Sequence, residues 1–196
     1  MSNPTSDFRQ FAWSSRVLHW LMAAMVIAML FIGVSMVGSL VEHERLIAIH
    51  RPLGIAILLL VVIRFVNRQL HPPPPFPDTM SPMERLAATS SEWLMYGLML
   101  VLPLVGWGML SAARYPIVLW GPLHLPPILP RDALLHAILR RAHTVLAYLL
   151  FFVFLAHLSA VLLHTLVIRD GLLRRMALWK NRARKPAVVP RLSTPD

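Results

Sequence analysis

Nine histidines and no cysteine set the chemistry open to this chain. Without thiolates it cannot hold an iron–sulfur cluster, a thiolate zinc site or a covalently attached c-type haem. Neutral imidazole remains, a metal ligand and a proton carrier near neutral pH. His43, His71, His124 and His136 fall in loops or interfacial segments, where a solvated or headgroup-level ring is the ordinary expectation. His19, His50, His143, His157 and His164 fall in long apolar runs. Ionisable groups in such runs are costly, so each of these five is a functional candidate.

Spacing pairs four of them. His157 follows His143 by 14 residues, almost four helical turns. On one helix the two rings lie roughly 21 Å apart along the axis and within about 40° of each other. One helix therefore offers a histidine at each of two depths on one face. His50, near the outer end of its run, can meet His143. His19, near the inner end of its run, can meet His157. Two neutral imidazoles from facing helices suit the opposite axial positions of a haem iron. Filling both favours electron transfer over oxygen binding, and bundle cores are where such sites are built.

The neighbours suit a macrocycle with acidic edges. Arg16 is one turn before His19, Arg51 adjoins His50, and Arg140 and Arg141 precede His143. Guanidinium groups there could pair with haem propionates, although arginines at span ends also anchor to headgroups. Gly33, Gly38, Gly54, Gly97, Gly106 and Gly108 could make room for a flat ring, or simply let helices pack closely. His164 lies seven residues past His157, about 10 Å further along the axis. That is too far to share its iron, but near enough to exchange a proton with a quinone beside it. An interfacial ring at a helix end is the alternative. For the whole set, a histidine-lined proton or metal-ion pathway competes with haem. It lacks the carboxylates such paths include.

These rings need helices to hold them. A helix crossing hydrocarbon takes roughly 20 residues. Residues 17–41, 93–113 and 142–168 contain no Asp, Glu, Lys or Arg. A further span works only as residues 46–66, which carries His50, Arg51 and Arg64 into the helix. Hydrophobic residues make up 57% of the chain and charged residues 14%, with mean hydropathy +0.61. A soluble domain carries roughly 25% charged residues, so much of this surface does not face water. The expected fold is all-α, a transmembrane four-helix bundle.

The net charge is +10, but the apolar runs argue against a nucleic-acid partner and for membrane lipid. No cleavage signal follows the first run, which is expected to stay as a helix. Arg9, Arg16, Arg64, Arg68, Arg85 and the basic cluster from Arg169 to Arg191 fall on one side. Arg45, Arg51, Arg114, Arg131, Arg140 and Arg141 fall on the other. The bias predicts both termini in the cytoplasm. The stretch from His71 to Pro77, HPPPPFP, cannot be helical and links the second and third spans. Residues 115–130 read as an ordered outer cap rather than a helix. Residues 1–13 form a cytoplasmic lead-in, 14–176 the bundle, and 177–196 a basic tail expected to be disordered.

The pattern resembles the bacterial cytochrome b561 family. The matching residues are Arg16-Val17-Leu18-His19-Trp20, His50-Arg51-Pro52-Leu53-Gly54-Ile55 and Val61-Val62-Ile63-Arg64. Then come Leu102-Pro103-Leu104-Val105-Gly106, the run His143, His157, His164, and Arg169 to Met176. Order and spacing together carry the likeness, over residues 14–176. The resemblance implies two b haems in the inner membrane, one held by His19 and His157 and one by His50 and His143. It places His164 near a ubiquinone site. One member oxidises superoxide outside the cytoplasm and reduces ubiquinone, so Arg51, Arg114, Arg140 and Arg141 could draw in that anion. Two other readings stay open. One is a membrane subunit exchanging electrons between quinone and a periplasmic dehydrogenase or hydrogenase partner. The other is a non-redox, histidine-lined transporter.

Overall fold

The computed structural model describes residues 10–38, 42–77 and 80–179. Four long helices dominate: α1 (Trp13–Gly38), α2 (His43–Leu70), α3 (Pro82–Ala113) and α4 (Ala133–Leu162). A π-helical turn, Leu163–Ile168, continues α4, and a short α5 (Leu172–Met176) follows. All four long helices have the length and apolarity to cross a bilayer. They turn large apolar side chains outwards, with Phe31 72% and Val167 70% exposed. Water would not tolerate so much of this surface, whereas lipid solvates it.

The helices outrun the uncharged spans, because capping and not charge decides where a helix starts. At α3 the Ser81 hydroxyl accepts from the Glu84 N–H at 3.3 Å, and the Glu84 carboxylate accepts from the Ser81 N–H at 2.7 Å. Pro82 supplies the first helical residue. At α4 the Asp132 carboxylate accepts from the Leu135 N–H at 2.9 Å. His136, expected in a loop or interfacial segment, therefore lies in the first turn of α4, and His43 opens α2, which has no side-chain cap. Pro52 and Pro103 sit inside α2 and α3 without ending either helix.

The all-helical expectation needs one addition. Part of the outer cap is an antiparallel hairpin, β1 (Ile117–Trp120) with β2 (Leu123–Leu125), turning at Gly121 with φ +51°. Trp107 ties its far end to α3, its Nε1–H donating to the Pro126 carbonyl at 2.9 Å. The basic tail expected to be disordered lies, from residue 180 on, outside the described residues.

Both described ends of the chain meet on one side of the bundle. The Phe11 N–H donates to the Arg175 carbonyl at 3.1 Å, and Trp20 Nε1–H to the Met176 carbonyl at 2.8 Å. Arg16, only 7% exposed, donates from Nη1 to the Ala177 carbonyl at 2.7 Å. Arg175 donates from Nη2 to the Pro75 carbonyl at 2.7 Å, joining the proline-rich link to the same clasp. Hydrogen bonds from charged donors contribute about 1.5–3 kcal/mol each. Arg16→Ala is expected to lower stability by about 2 kcal/mol on that scale. The check is the thermal midpoint in detergent, which Arg131→Ala, at an exposed side chain, should leave in place.

The core lies midway along the bundle. Met22 and Val26 of α1, Ile57, Leu60 and Val61 of α2, and Tyr96, Leu98, Met99 and Leu102 of α3 meet Leu150 of α4. Leu150 is midway between His143 and His157, so this apolar layer separates the two histidine levels.

Candidate functional site

His50 and His143 face each other. Their ring centroids are 6.1 Å apart and their planes differ by 67°. Nδ1 of each ring is buried without a hydrogen-bond partner. An iron bonded at about 2 Å to one nitrogen of each ring would hold the centroids roughly 6–6.5 Å apart. The rotation between ring planes does not matter to axial ligation, since each ring can turn about its own bond to the metal.

The backbone of α3 makes space for this pair. A Cβ added at Gly106 would lie 3.3 Å from Cε1 and 3.5 Å from Nδ1 of His143. Glycine there lets the imidazole lie against the helix. Of the other glycines marked for room, Gly108 accommodates Leu129 and Gly54 lies beside Met29. Gly33, Gly38 and Gly97 have nothing within 4 Å of a Cβ position and face open space.

The helices pair unevenly. α1 packs on α2, α2 on α3, and α3 most extensively on α4, whereas α4 makes no comparably close backbone approach to α1 or α2. The histidine pairs lie across that separation. Among the described residues no group of three or more His, Cys, Asp or Glu side chains converges on one point. Two imidazoles are a poor cage for a bare metal ion. They suit haem b, which brings four nitrogen donors of its own, and His50 and His143 would be residues to hold it.

The inner level is arranged differently. His157 lies within electrostatic range of His19. A third group, a cation that the second span carries into the helix, joins them. Arg64 turns inward, with Nη1 3.0 Å from His19 Nδ1 and Nε donating to the Tyr96 hydroxyl at 2.9 Å. Its guanidinium carbon lies 5.6 Å from the centre of the Tyr96 ring. Arginine only donates, so His19 offers its Nδ1 lone pair to Arg64 and carries its hydrogen on Nε2. Ligation of a metal through Nε2 would require that contact to open and the hydrogen to move to Nδ1. Arg64 follows His50 by the same 14 residues that separate His143 from His157. That spacing was the signal for a polar group at the inner level.

Beside this level lies a small cavity lined by Ser15, Arg64, Asn67, Arg68, Glu92 and Tyr96, among others. Asn67 donates to Ser15 Oγ at 2.8 Å, and Arg68 pairs with Glu92 above the Trp93 ring. His164 meets Asp170, its Nδ1 2.5 Å from the carboxylate.

The arginines divide. Arg16 has its Nη1 engaged in the clasp and its Nε buried without a partner. Arg51 donates weakly from Nη1 to the Pro116 carbonyl at 3.4 Å, and its Nε is likewise buried and unpartnered. Arg114, Arg131, Arg140 and Arg141 are exposed at the hairpin side. The remaining histidines lie near backbone carbonyls: His43 by Met36, His71 by Asn67, His124 by Pro122 and His136 by Met109.

Residues 10–179 match the family model for prokaryotic cytochrome b561, a stretch that includes every described helix. The chain is 34% identical over 128 residues to a probable superoxide oxidase CybB from Yersinia pestis, covering 65% of this chain and 72% of that protein. It is 30% identical over 165 residues to cytochrome b561 homolog 2 from Escherichia coli strain K12, covering 83% and 88%. With four membrane-length helices and facing histidines in place, the chain belongs to the prokaryotic cytochrome b561 family, multi-pass bacterial membrane proteins that transfer electrons and bind haem b.

Proposed function

We propose that this protein is a two-haem electron carrier of the bacterial inner membrane, with both termini in the cytoplasm. It takes electrons from superoxide at the hairpin side and delivers them to ubiquinone near the termini. The observation that carries the reading is the 6.1 Å separation of the His50 and His143 rings, at one of two histidine levels. The name of the Yersinia pestis relative supports the choice of donor.

His50 and His143 would hold the outer haem, and His19 and His157 the inner one. Bound haem b supplies one-electron iron chemistry. The chain's own residues do the rest. With two imidazoles as its protein ligands, a haem b would pass electrons rather than bind oxygen. The apolar layer around Leu150 keeps water from between the levels. At the hairpin side Arg51, Arg114, Arg140 and Arg141 raise the local concentration of a small anion. Arg16, Arg51 and Arg141 are the candidates to pair with propionates, and the unpartnered Nε of the first two is the available donor. At the other end His164 stands beside the quinone position.

The test is spectroscopic. Purified protein is expected to carry two haem b per chain, to be reduced by superoxide, and to be reoxidised by a short-chain ubiquinone. One haem per chain would overturn the two-level account. Haems that quinol reduces but superoxide does not touch would remove superoxide as donor. A stoichiometric soluble protein that co-purifies and reduces the haems would favour the subunit reading.

A further inference from the structure

The inner histidine level carries a permanent positive charge. Arg64 places its Nη1 3.0 Å from His19 Nδ1 and lies within electrostatic range of His157 as well. One guanidinium, which stays charged at any ordinary pH, therefore acts on both rings of that pair. Among the described residues no carboxylate pairs with it. Glu92 lines the same small cavity, but its carboxylate is engaged by Arg68. The charge is thus not cancelled where it stands.

A buried phenol anchors it. Tyr96, 8% exposed, accepts from Arg64 Nε at 2.9 Å, and the guanidinium carbon lies 5.6 Å from its ring centre. Phe65 and Trp93 pack against the same ring, with centroids 6.3 and 6.1 Å away. Long cationic side chains in membrane helices ordinarily snorkel to the headgroups. This one is turned inward by a hydrogen bond that does not involve His19. The bond to Tyr96 keeps the charge at this level whichever nitrogen of His19 carries the hydrogen.

The polarity is the reverse of the usual one. A metal-binding imidazole generally donates its second N–H to a carboxylate or carbonyl, which makes the ligand more basic. The neighbour of His19 is instead a cation that only donates. A positive charge near a haem favours ferrous over ferric iron, since the ferrous form carries one positive charge fewer. At the outer level Arg51 lies within electrostatic range of His50, with its Nη1 turned to the Pro116 carbonyl.

We infer that Arg64 raises the redox potential of the inner level, so that an electron is favoured to arrive there, and that Tyr96 is the residue that positions it. The inference rests on the proposed role of His19 and His157 as ligands of the inner haem. The balance moves one electron and no proton. The inner iron goes from ferric to ferrous as the donor at the outer level loses the electron.

The experiment is an anaerobic redox titration of purified holoprotein followed by its absorption spectrum. The wild type should show two one-electron steps. Arg64→Gln removes the charge and is expected to shift the inner step about tenfold toward the ferric form, which is about 59 mV lower for one electron. The outer step should stay within about threefold. Arg64→Lys keeps the charge and should move the inner step by less than about threefold. Tyr96→Phe releases the guanidinium toward the headgroups and should shift that step in the same direction as Arg64→Gln. His143→Ala, expected to strip the outer haem, identifies the inner step, and adding Arg64→Gln to it should lower the step that remains. An unmoved inner step in Arg64→Gln would overturn the inference. So would equal shifts in Arg64→Gln and Arg64→Lys, which would trace the effect to packing and not to charge. Should Arg64→Gln fail to hold the inner haem, Tyr96→Phe decides: a lowered potential supports the inference, and an unchanged one overturns it. If the wild type titrates as a single haem, the two-level reading itself has failed, and the inference with it.

Discussion

Replacing His143 with alanine is expected to remove one of two haems and abolish superoxide-driven quinone reduction. Losing a residue that only orients a metal ligand costs roughly 10–100-fold, so losing the ligand should exceed that. Alanine leaves the His50 ring, 6.1 Å away, facing a void. A haem there would be left with His50 as its one protein ligand. His50→Ala should give the same haem count and the same activity. The double variant should lose no more haem than either single one, because both rings act on one group. His19→Ala and His157→Ala should instead remove the other haem, leaving superoxide able to reduce the one that stays. Reduced-minus-oxidised spectra with haem quantified per chain read all five. If His50→Ala and His143→Ala removed different haems, the pairing would be wrong.

The second large effect needs no ligand to change. Gly106→Leu is expected to lose the outer haem as completely as His143→Ala does. The first added carbon would already stand 3.3 Å from the His143 ring, and a branched chain beyond it must occupy the ring's own volume. Gly106→Ala sits at the edge of tolerance. A shift of a few tenths of an ångström relieves it, so that variant should keep the haem with a displaced absorption band. Helix propensity does not confuse the comparison, since leucine favours α3 over glycine by nearly 1 kcal/mol. Retention of the outer haem in Gly106→Leu would show that the imidazole need not lie against α3.

These two predictions differ in what a reader of the sequence could have reached. His143 announces itself, because an imidazole between Ala142 and Thr144 in an uncharged run has no cheap reason to be there. Gly106 does not, because glycine is ordinary in membrane helices. Six glycines were candidates, and only the position of the His143 ring singles out one. Arg64 stands between these cases. Its charge inside a span was visible, and so was its 14-residue distance from His50. Snorkelling to the surface is the usual fate of such a side chain. The hydroxyl of Tyr96 and the ring of His19 hold it inward instead. Arg16 has a partner that its sequence neighbours do not show: its Nη1 binds the Ala177 carbonyl, from a segment distant in sequence.

Length and apolarity were enough to count the spans, because crossing hydrocarbon is a requirement each helix must meet alone. Period was enough to put His143 and His157 on one face, because helical geometry is local. Helix ends were less legible: α3 and α4 begin at side-chain caps well before their uncharged stretches. Which helices touch, which glycine yields to which ring, and which nitrogen of His19 is engaged were decided only by the tertiary structure. The same holds for the return of Asp170 beneath His164. Those facts depend on the rotation and offset of one helix against another. Packing between distant residues sets them, and no stretch of sequence contains both partners.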